Sequence, residues 1–411
     1  MSNIHIERKP WYKRIPHAVT MLFGIIILVT VLTHILPAGT YERILIDGRK
    51  IVVPNSYTTI ESTPIGILNM FRAIPLGFKS AAEIIFIVLA GAIMFGFMEQ
   101  SKAVENSVGT LVNKLGLKNK NAIIIIMTFI YGLLGVAVGY ENNIAMVPIA
   151  AVLSLALGGD LILAAGISVG AMTIGFGLSP INPYTVGTGH KIAELPMFSG
   201  AFLRSILCLT SLSIMAYYNV RYFKKIIKFP DKSLGKGLDV SNLSLSKPIE
   251  NYKISINNWM IISIFIMGLF VILYGVFNLG WYLNELSAVF LMVAVLCGIV
   301  SRMDATTMSE TVLKAVAIAA PGAFMVGYAT SIKVLMETGN IGDTISYNLS
   351  LILKNLPLYA SAISMSISQT VINFFIPSGS GQALATLPVM LPLGESLGLT
   401  RQITILAFQI G

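Results

Sequence analysis

Two stretches of this chain read as versions of one device. Gly139-Tyr140-Glu141-Asn142-Asn143-Ile144-Ala145-Met146-Val147-Pro148 and Gly379-Ser380-Gly381-Gln382-Ala383-Leu384-Ala385-Thr386-Leu387-Pro388 each set glycine and small or amide residues ahead of an apolar run that carries a proline. Backbone that leaves a helix inside a bilayer is tolerated only where protein buries it or where it lines a cavity. A pair of such breaks, one in each half of a sequence, predicts two halves built alike around a common polar centre.

That reading needs a membrane, and composition supplies it. Of 411 residues, 55% are hydrophobic and 11% charged, with a mean hydropathy of +0.79. A water-soluble domain carries about 25% charged residues. Apolar runs long enough to cross ~30 Å of hydrocarbon recur along the sequence. The first, Pro16–Leu36, has no small-residue cleavage site behind it and is read as a retained span, not a signal peptide. The net charge of +9 gathers beside spans, at Arg8, Lys9, Lys13 and Arg14, at Lys102, Lys114, Lys118 and Lys120, and at Arg221, Lys224, Lys225, Lys228, Lys232 and Lys236. Such clusters mark the cytoplasmic side, which places the N-terminus there and removes nucleic acid as a partner. Cys208 and Cys297 lie in apolar runs and read as buried, inert thiols. The predicted class is an all-α, multi-pass protein of the cytoplasmic membrane, with inverted repeats, two re-entrant helical hairpins and unwound helices.

Polar residues 221–257 divide the sequence into a first repeat with an N-terminal span (1–220) and a second repeat (258–411), and are read as a basic cytoplasmic linker. In the first repeat, an outer segment with an Asp47-Gly48 turn between β-like runs leads to Thr63–Ser80, weakly amphipathic and read as an interfacial stretch or a short helix. The hairpin is expected at about 121–157. A second break, 179–190, holds two prolines and two glycines and is expected to stay unwound throughout. The second hairpin is expected at about 356–397. Pro148 and Pro388 are expected to be absorbed by local unwinding. Gly91-Ala92-Ile93-Met94-Phe95-Gly96-Phe97 resembles Gly322-Ala323-Phe324-Met325-Val326-Gly327-Tyr328 at an offset of 231 residues, and Pro148 and Pro388 lie 240 apart. The counterpart of the break at Ser179 would fall near residue 419, so the second repeat is expected to be incomplete and the sequence C-terminally truncated.

The candidate chemistry sits at these breaks. Glu141 is at the first hairpin tip, where a mid-membrane carboxylate costs roughly 2.5–3.5 kcal/mol and so implies a partner or a task. It would neutralise a cationic solute, carry a proton or coordinate sodium. Asn142 and Asn143 stand at a helix N-terminus, whose free N–H groups favour a carboxylate. Ser179, Asn182 and Thr185 offer oxygens suited to a hard cation, and Asn143, Ser179 and Asn182 form the candidate sodium site. Ser378, Gly379, Ser380 and Gln382 make the second tip, open to close approach of a solute. His190 reads as a satisfied polar residue. No arginine is read as standing well inside a span, where it would clamp a second carboxylate. A Walker motif, a metal-ligand cluster and a nucleophile–base pair are all missing from the sequence, which argues against an enzyme or an ATP-driven pump.

At Pro37-Ala38-Gly39-Thr40-Tyr41, Gly139–Pro148, Ser179–His190 and Pro377–Pro392, running on to Arg401-Gln402, the sequence resembles the C4-dicarboxylate anaerobic carriers of the DcuC type, in their YfcC-like branch of the ion transporter superfamily. The resemblance implies two opposed hairpins around a midplane site, a homodimer joined through a scaffold domain, and a transport domain that moves like an elevator. In dicarboxylate transporters of this superfamily the hairpin tips carry Ser-Asn-Thr. Here Glu141-Asn142-Asn143 and Ser378-Gly379-Ser380 stand in their place. The expected function is secondary active transport of a small carboxylate-bearing solute, a C4-dicarboxylate or an amino acid, with no cofactor and with sodium or proton coupling or exchange. A basic amino-acid (arginine/ornithine) antiporter is the alternative within that class, and an ion channel the alternative outside it.

Overall fold

The computed structural model describes residues 17–46, 49–115, 119–138, 147–238, 251–376 and 379–411. Among these the protein is helical almost throughout. Helix α1 (Ala18–Ile35) is followed by four short strands, β1 (Gly39–Thr40), β2 (Arg43–Ile46), β3 (Arg49–Val52) and β4 (Thr58–Thr59). Then come α2 (Ile67–Ser80), α3 (Ala82–Gln100), α4 (Ala103–Leu115), α5 (Lys120–Val138), α6 (Val147–Leu157), α7 (Leu161–Ala165), α8 (Ala171–Gly177), α9 (Thr188–Ile192) and α10 (Ala201–Lys228). After the linker run α11 (Ile256–Leu279), α12 (Leu283–Val300), α13 (Ala305–Thr338), α14 (Gly342–Leu353), α15 (Leu358–Phe375), α16 (Gly379–Ser396) and α17 (Arg401–Ile410). Among the described residues, seven helices (α1, α3, α5 and α10 to α13) are long and apolar enough to cross a membrane. Phe202, Leu209, Phe270 and Phe277 point outward from α10 and α11, as lipid-facing side chains do and water-facing ones rarely do.

Element order repeats along the sequence. A 13-residue helix, a hairpin arm and a following helix begin at Ala103, Lys120 and Leu161; their counterparts begin at Gly342, Leu358 and Arg401, which lie 239, 238 and 240 residues later. This near-constant spacing extends the sequence offset at Pro148 and Pro388 from two prolines to three helices.

The protein divides into two compact units. The first comprises residues 1–81 and 325–399 with Gly411. Its outer segment is two antiparallel ribbons, β1 with β4 and β2 with β3, with Ile46 opposite Arg49 as the Asp47-Gly48 turn requires; the turn residues lie outside the described residues. This segment grips α14 and the end of α16: Arg43 pairs with Asp343 at 2.7 Å and Tyr57 stacks on Tyr347 at 4.2 Å, both on α14, and the Val52 N–H donates to Glu395 of α16 at 2.8 Å. Of the two readings of Thr63–Ser80, the short helix is what forms: α2, whose Gly77 lies against the Gly327 and Ser331 backbone, while Ile67 and Leu68 stay exposed. Helix α16 is buried along nearly its whole length and continues through Pro388 and Pro392. No unwinding absorbs Pro388, contrary to the sequence expectation. Pro148 is the second residue of the described part of α6; the residues before Val147 lie outside the described residues.

The second unit comprises residues 82–324 and 400–410. Small residues let its helices approach closely, which is how membrane helices pack when lipid removes the hydrophobic drive between them. Gly298 faces Phe97 where α12 meets α3, and Gly268 faces Val293 between α11 and α12. The first hairpin is present as two antiparallel arms: Lys120 at the start of α5 donates to the Leu157 carbonyl at the end of α6, at 2.7 Å. The arms share a core of Ile124, Met127, Tyr131, Ala150 and Leu153. Both cysteines are buried and free.

The start of the linker is tied to this unit by one carboxylate. Asp160 caps α7 by accepting from Leu163 N at 2.8 Å, and its other oxygen accepts from Tyr222 (2.6 Å), Ser233 (2.5 Å) and Gly235 N (3.3 Å). Burial pushes this carboxyl upward, but the hydrogen bonds from Ser233, Tyr222, Leu163 and Gly235 prevail and hold it below its ordinary value. A depressed carboxyl contributes stability above its unfolded value of about 3.9 and loses it as pH falls through the lower folded value. Asp160→Asn turns an acceptor into a donor facing three donors, a loss of roughly 1–3 kcal/mol. The expected result is faster proteolysis within residues 229–238 at neutral pH. Cleavage at the wild-type rate would show that Asp160 does not hold the linker.

Candidate substrate site at the broken helix

The local chemistry of residues 161–192 explains where the helix breaks. The backbone runs through α7, a wider π turn at Gly166–Gly170, and α8, and the last N–H in register is that of Leu178, which donates to Ile174 O at 3.0 Å. Pro180 and Pro183 have no N–H to continue the ladder. Asn182 then restarts it. Its Oδ1 accepts from Tyr184 N at 2.8 Å and Thr185 N at 3.1 Å, with Pro183 at the first helical position. A second π turn, Pro183–Gly187, passes directly into α9. The unwound segment is therefore 178–182. The sequence reading of 179–190 extended it too far, because Gly187 and Gly189 are tolerated inside a helix that the Asn182 cap has already nucleated.

Each end of the break is anchored. Ser179 Oγ donates to Val136 O near the end of α5 at 3.0 Å and accepts from Ile181 N at 3.2 Å. The Ser179 carbonyl accepts from Gln409 Nε2 on α17 at 2.8 Å. Gln409 Oε1 in turn accepts from Arg204 Nε at 2.6 Å, and Arg204 Nη1 donates to Ser199 O at 2.8 Å. Arg204 is 2% exposed. The expectation that no arginine stands inside a span is thus overturned: Arg204 lies in α10 within the run Ala201-Phe202-Leu203-Arg204-Ser205-Ile206-Leu207. Every other basic cluster sits at a span end, and that contrast was the available signal.

The structure brings Asn182 and Thr185 together with His190, Arg204, Gln402 and Gln409 in one unit. Asn182, Thr185 and His190 are buried. Among the described residues, Asn182 Nδ2, Thr185 Oγ1 and Arg204 Nη2 make no hydrogen bond. The His190 ring faces Gln402 and lies within reach of the Arg204 charge. Buried polar atoms are paired in the great majority of native sites, so a cluster of unpaired ones marks a place for a solute or water.

Glu141, Asn142, Asn143 and Ser378 lie outside the described residues. Of the candidate sodium ligands, Ser179 Oγ and Asn182 Oδ1 are already engaged in the bonds above, and Asn143 is not described. Gly379, Ser380 and Gln382 open α16 in the other unit, with Ser380 and Gln382 buried. Gln382 Nε2 donates to the Gln369 carbonyl at 2.8 Å and to its side-chain oxygen at 2.7 Å, and Thr386 Oγ1 donates to that oxygen at 3.2 Å. This amide pair stitches the two arms of the second hairpin.

The C4-dicarboxylate anaerobic carrier family matches residues 15–411. The protein belongs to this family. It is 27% identical over 98% of its length, and 88% of the relative's, to the Escherichia coli (strain K12) protein named "Putative basic amino acid antiporter YfcC". An uncharacterized protein of Haemophilus influenzae is 23% identical over 96% of this protein's length and 87% of its own. Two solved structures share the fold at 16% identity and TM-score 0.68: the Alcanivorax borkumensis YdaH transporter, covering 96% of this protein and 86% of that one, and Neisseria gonorrhoeae MtrF, of a class of antimetabolite efflux pumps, covering 97% and 84%. The carrier is a multi-pass membrane transporter, and its broken helix and hairpins are parts of that fold.

Proposed function

We propose that this carrier moves a small carboxylate-bearing solute by secondary active transport, and that the solute's carboxylate is received at the helix restart after the 178–182 break. The observation that carries this reading is the orientation of Asn182. Two backbone donors occupy its side-chain oxygen, so the group it turns to the buried interior is Nδ2, a donor. Donors at the start of a helix suit an anion. Sodium coupling remains part of the proposal, but with Ser179 Oγ and Asn182 Oδ1 engaged, the ion would draw on backbone carbonyls of the break. Uptake with and without a sodium gradient tests it.

A basic amino acid, exchanged as arginine against ornithine, is a second reading. It is favoured by Glu141, a carboxylate within the first hairpin sequence, and by the name of the YfcC relative. The test is uptake of labelled arginine and labelled succinate into proteoliposomes by wild type and Glu141→Gln. Arginine uptake that falls by about 100-fold or more in Glu141→Gln, with counterflow in the wild type, is the expected outcome for an amino-acid antiporter. Succinate uptake indifferent to Glu141→Gln would return the reading to a dicarboxylate. Non-saturable flux without counterflow would indicate a channel.

A further inference from the structure

We infer that Arg204, with His190 beside it, is the receptor for the carboxylate of the transported solute. The inference rests on the carboxylate reading above and names the residue that reads the charge.

Among the described residues, Arg204 is a buried cation without a counter-charge. Among the described residues five ion pairs are present, and Arg204 is in none of them. The pairs Glu83–Lys191 (3.2 Å) and Glu194–Arg401 (3.1 Å) are partly exposed. A buried charge left unpaired is strongly destabilising, so a site of this kind is kept for an anion that comes and goes. The guanidinium carries five N–H donors in a fixed plane. Here Nε is bound to Gln409 and Nη1 to Ser199, both neutral acceptors, while Nη2 makes no bond among the described residues. A structural arginine fills its fork with carbonyls or a carboxylate; this one leaves Nη2 to donate to an incoming carboxylate oxygen. His190, also buried, stands close enough to feel the Arg204 charge, with its ring facing the Gln402 side chain.

The site is also keyed to the break. Gln409 holds Arg204 with its oxygen and the Ser179 carbonyl with its amide, so the orientation of the guanidinium follows the 178–182 backbone. Gly200, left-handed at φ +73°, sets the start of α10, and Arg204 Nη1 comes within 2.8 Å of the position its Cβ would take. Any larger residue at position 200 would push the fork aside.

The test uses purified full-length wild type, Arg204→Lys and Arg204→Met. Thermal unfolding is read with acetate, succinate, arginine, argininamide and chloride at matched ionic strength, and arginine, argininamide and succinate uptake are measured in proteoliposomes. Acetate, succinate or arginine is expected to raise the wild-type midpoint, while argininamide and chloride leave it unmoved. The shift should vanish in Arg204→Met and weaken about tenfold or more in apparent affinity in Arg204→Lys, whose charge persists without the fork. Three results overturn the inference: no carboxylate shift in the wild type, an equal shift with chloride, or a shift kept by Arg204→Met. If Arg204→Met does not fold, an undiminished shift in Arg204→Lys overturns it. A carboxylate shift in a wild type that takes up neither arginine nor succinate would leave the site standing and remove the proposed substrates. Uptake with the same arginine-to-argininamide ratio in wild type and Arg204 variants would remove the site and leave the transport reading standing.

Discussion

Gly175→Val is expected to prevent folded carrier from accumulating, whereas Gly177→Val, two residues along the same helix, is expected to be accepted. A Cβ on Gly175 would overlap the Gly132 carbonyl oxygen and lie 2.9 Å from its carbon; one on Gly135 would overlap the Met172 carbonyl and lie 2.9 Å from the Met172 Cα. Helices α5 and α8 thus meet backbone to backbone at two reciprocal points, and backbone has no rotamer by which to turn away. Overpacking a core costs about 1–3 kcal/mol where side chains adjust. Here the helices must part, and the first hairpin arm loses its support along the line of contact. At Gly177 no atom of the described residues lies within 4 Å of the added carbon. Because valine costs either site the same helix propensity, the difference between variants isolates the contact. Size-exclusion profiles and thermal midpoints of the two check it. Equal behaviour would mean that α5 and α8 do not touch in this way.

Asn182→Asp is expected to leave the fold intact and to lower carboxylate uptake by about 100-fold, equivalent to roughly 2.7 kcal/mol at 1.36 kcal/mol per decade. Aspartate keeps the oxygen that Tyr184 N and Thr185 N use, so the cap survives. It replaces the inward-facing donor Nδ2 by a second anionic oxygen. Like charges in a poorly solvated site repel strongly, and the solute's carboxylate meets that repulsion directly. Asn182→Ala, by contrast, loses the cap, about 0.5–2 kcal/mol, and its midpoint should fall. The pair separates a capping role from a binding role. Uptake by Asn182→Asp at the wild-type level, with a normal midpoint, would remove the restart of this helix from the solute's path.

Much of this architecture was legible in the residue order. Spans, hairpin arms and the onset of the break at Ser179 follow from hydropathy and from proline, both local properties. What failed was whatever depended on distant residues. The 179–190 break is shorter because one residue, Asn182, renucleates a helix that Gly187 and Gly189 would not start themselves. Pro388 sits in an unbroken helix because α16 is enclosed by α14 and by its own hairpin arm; on the α14 side, the Ser346 hydroxyl donates to Val389 O at 2.8 Å. Gln382, read from the sequence as a solute ligand, donates its amide to Gln369 on the neighbouring arm, a partner no local pattern announces.

The sequence by itself determined that this protein is a repeated bundle of membrane helices interrupted at matched places, because the cost of polar backbone in lipid is written residue by residue. Only the tertiary structure decided which polar groups remain open. Arg204 counts as buried because α17, distant in sequence, brings Gln409 onto it at a separation of 205 residues. Asn182 became a donor because two backbone N–H groups took its oxygen. Hydrogen-bond satisfaction is a property of neighbours in space, and no local pattern records who those neighbours are.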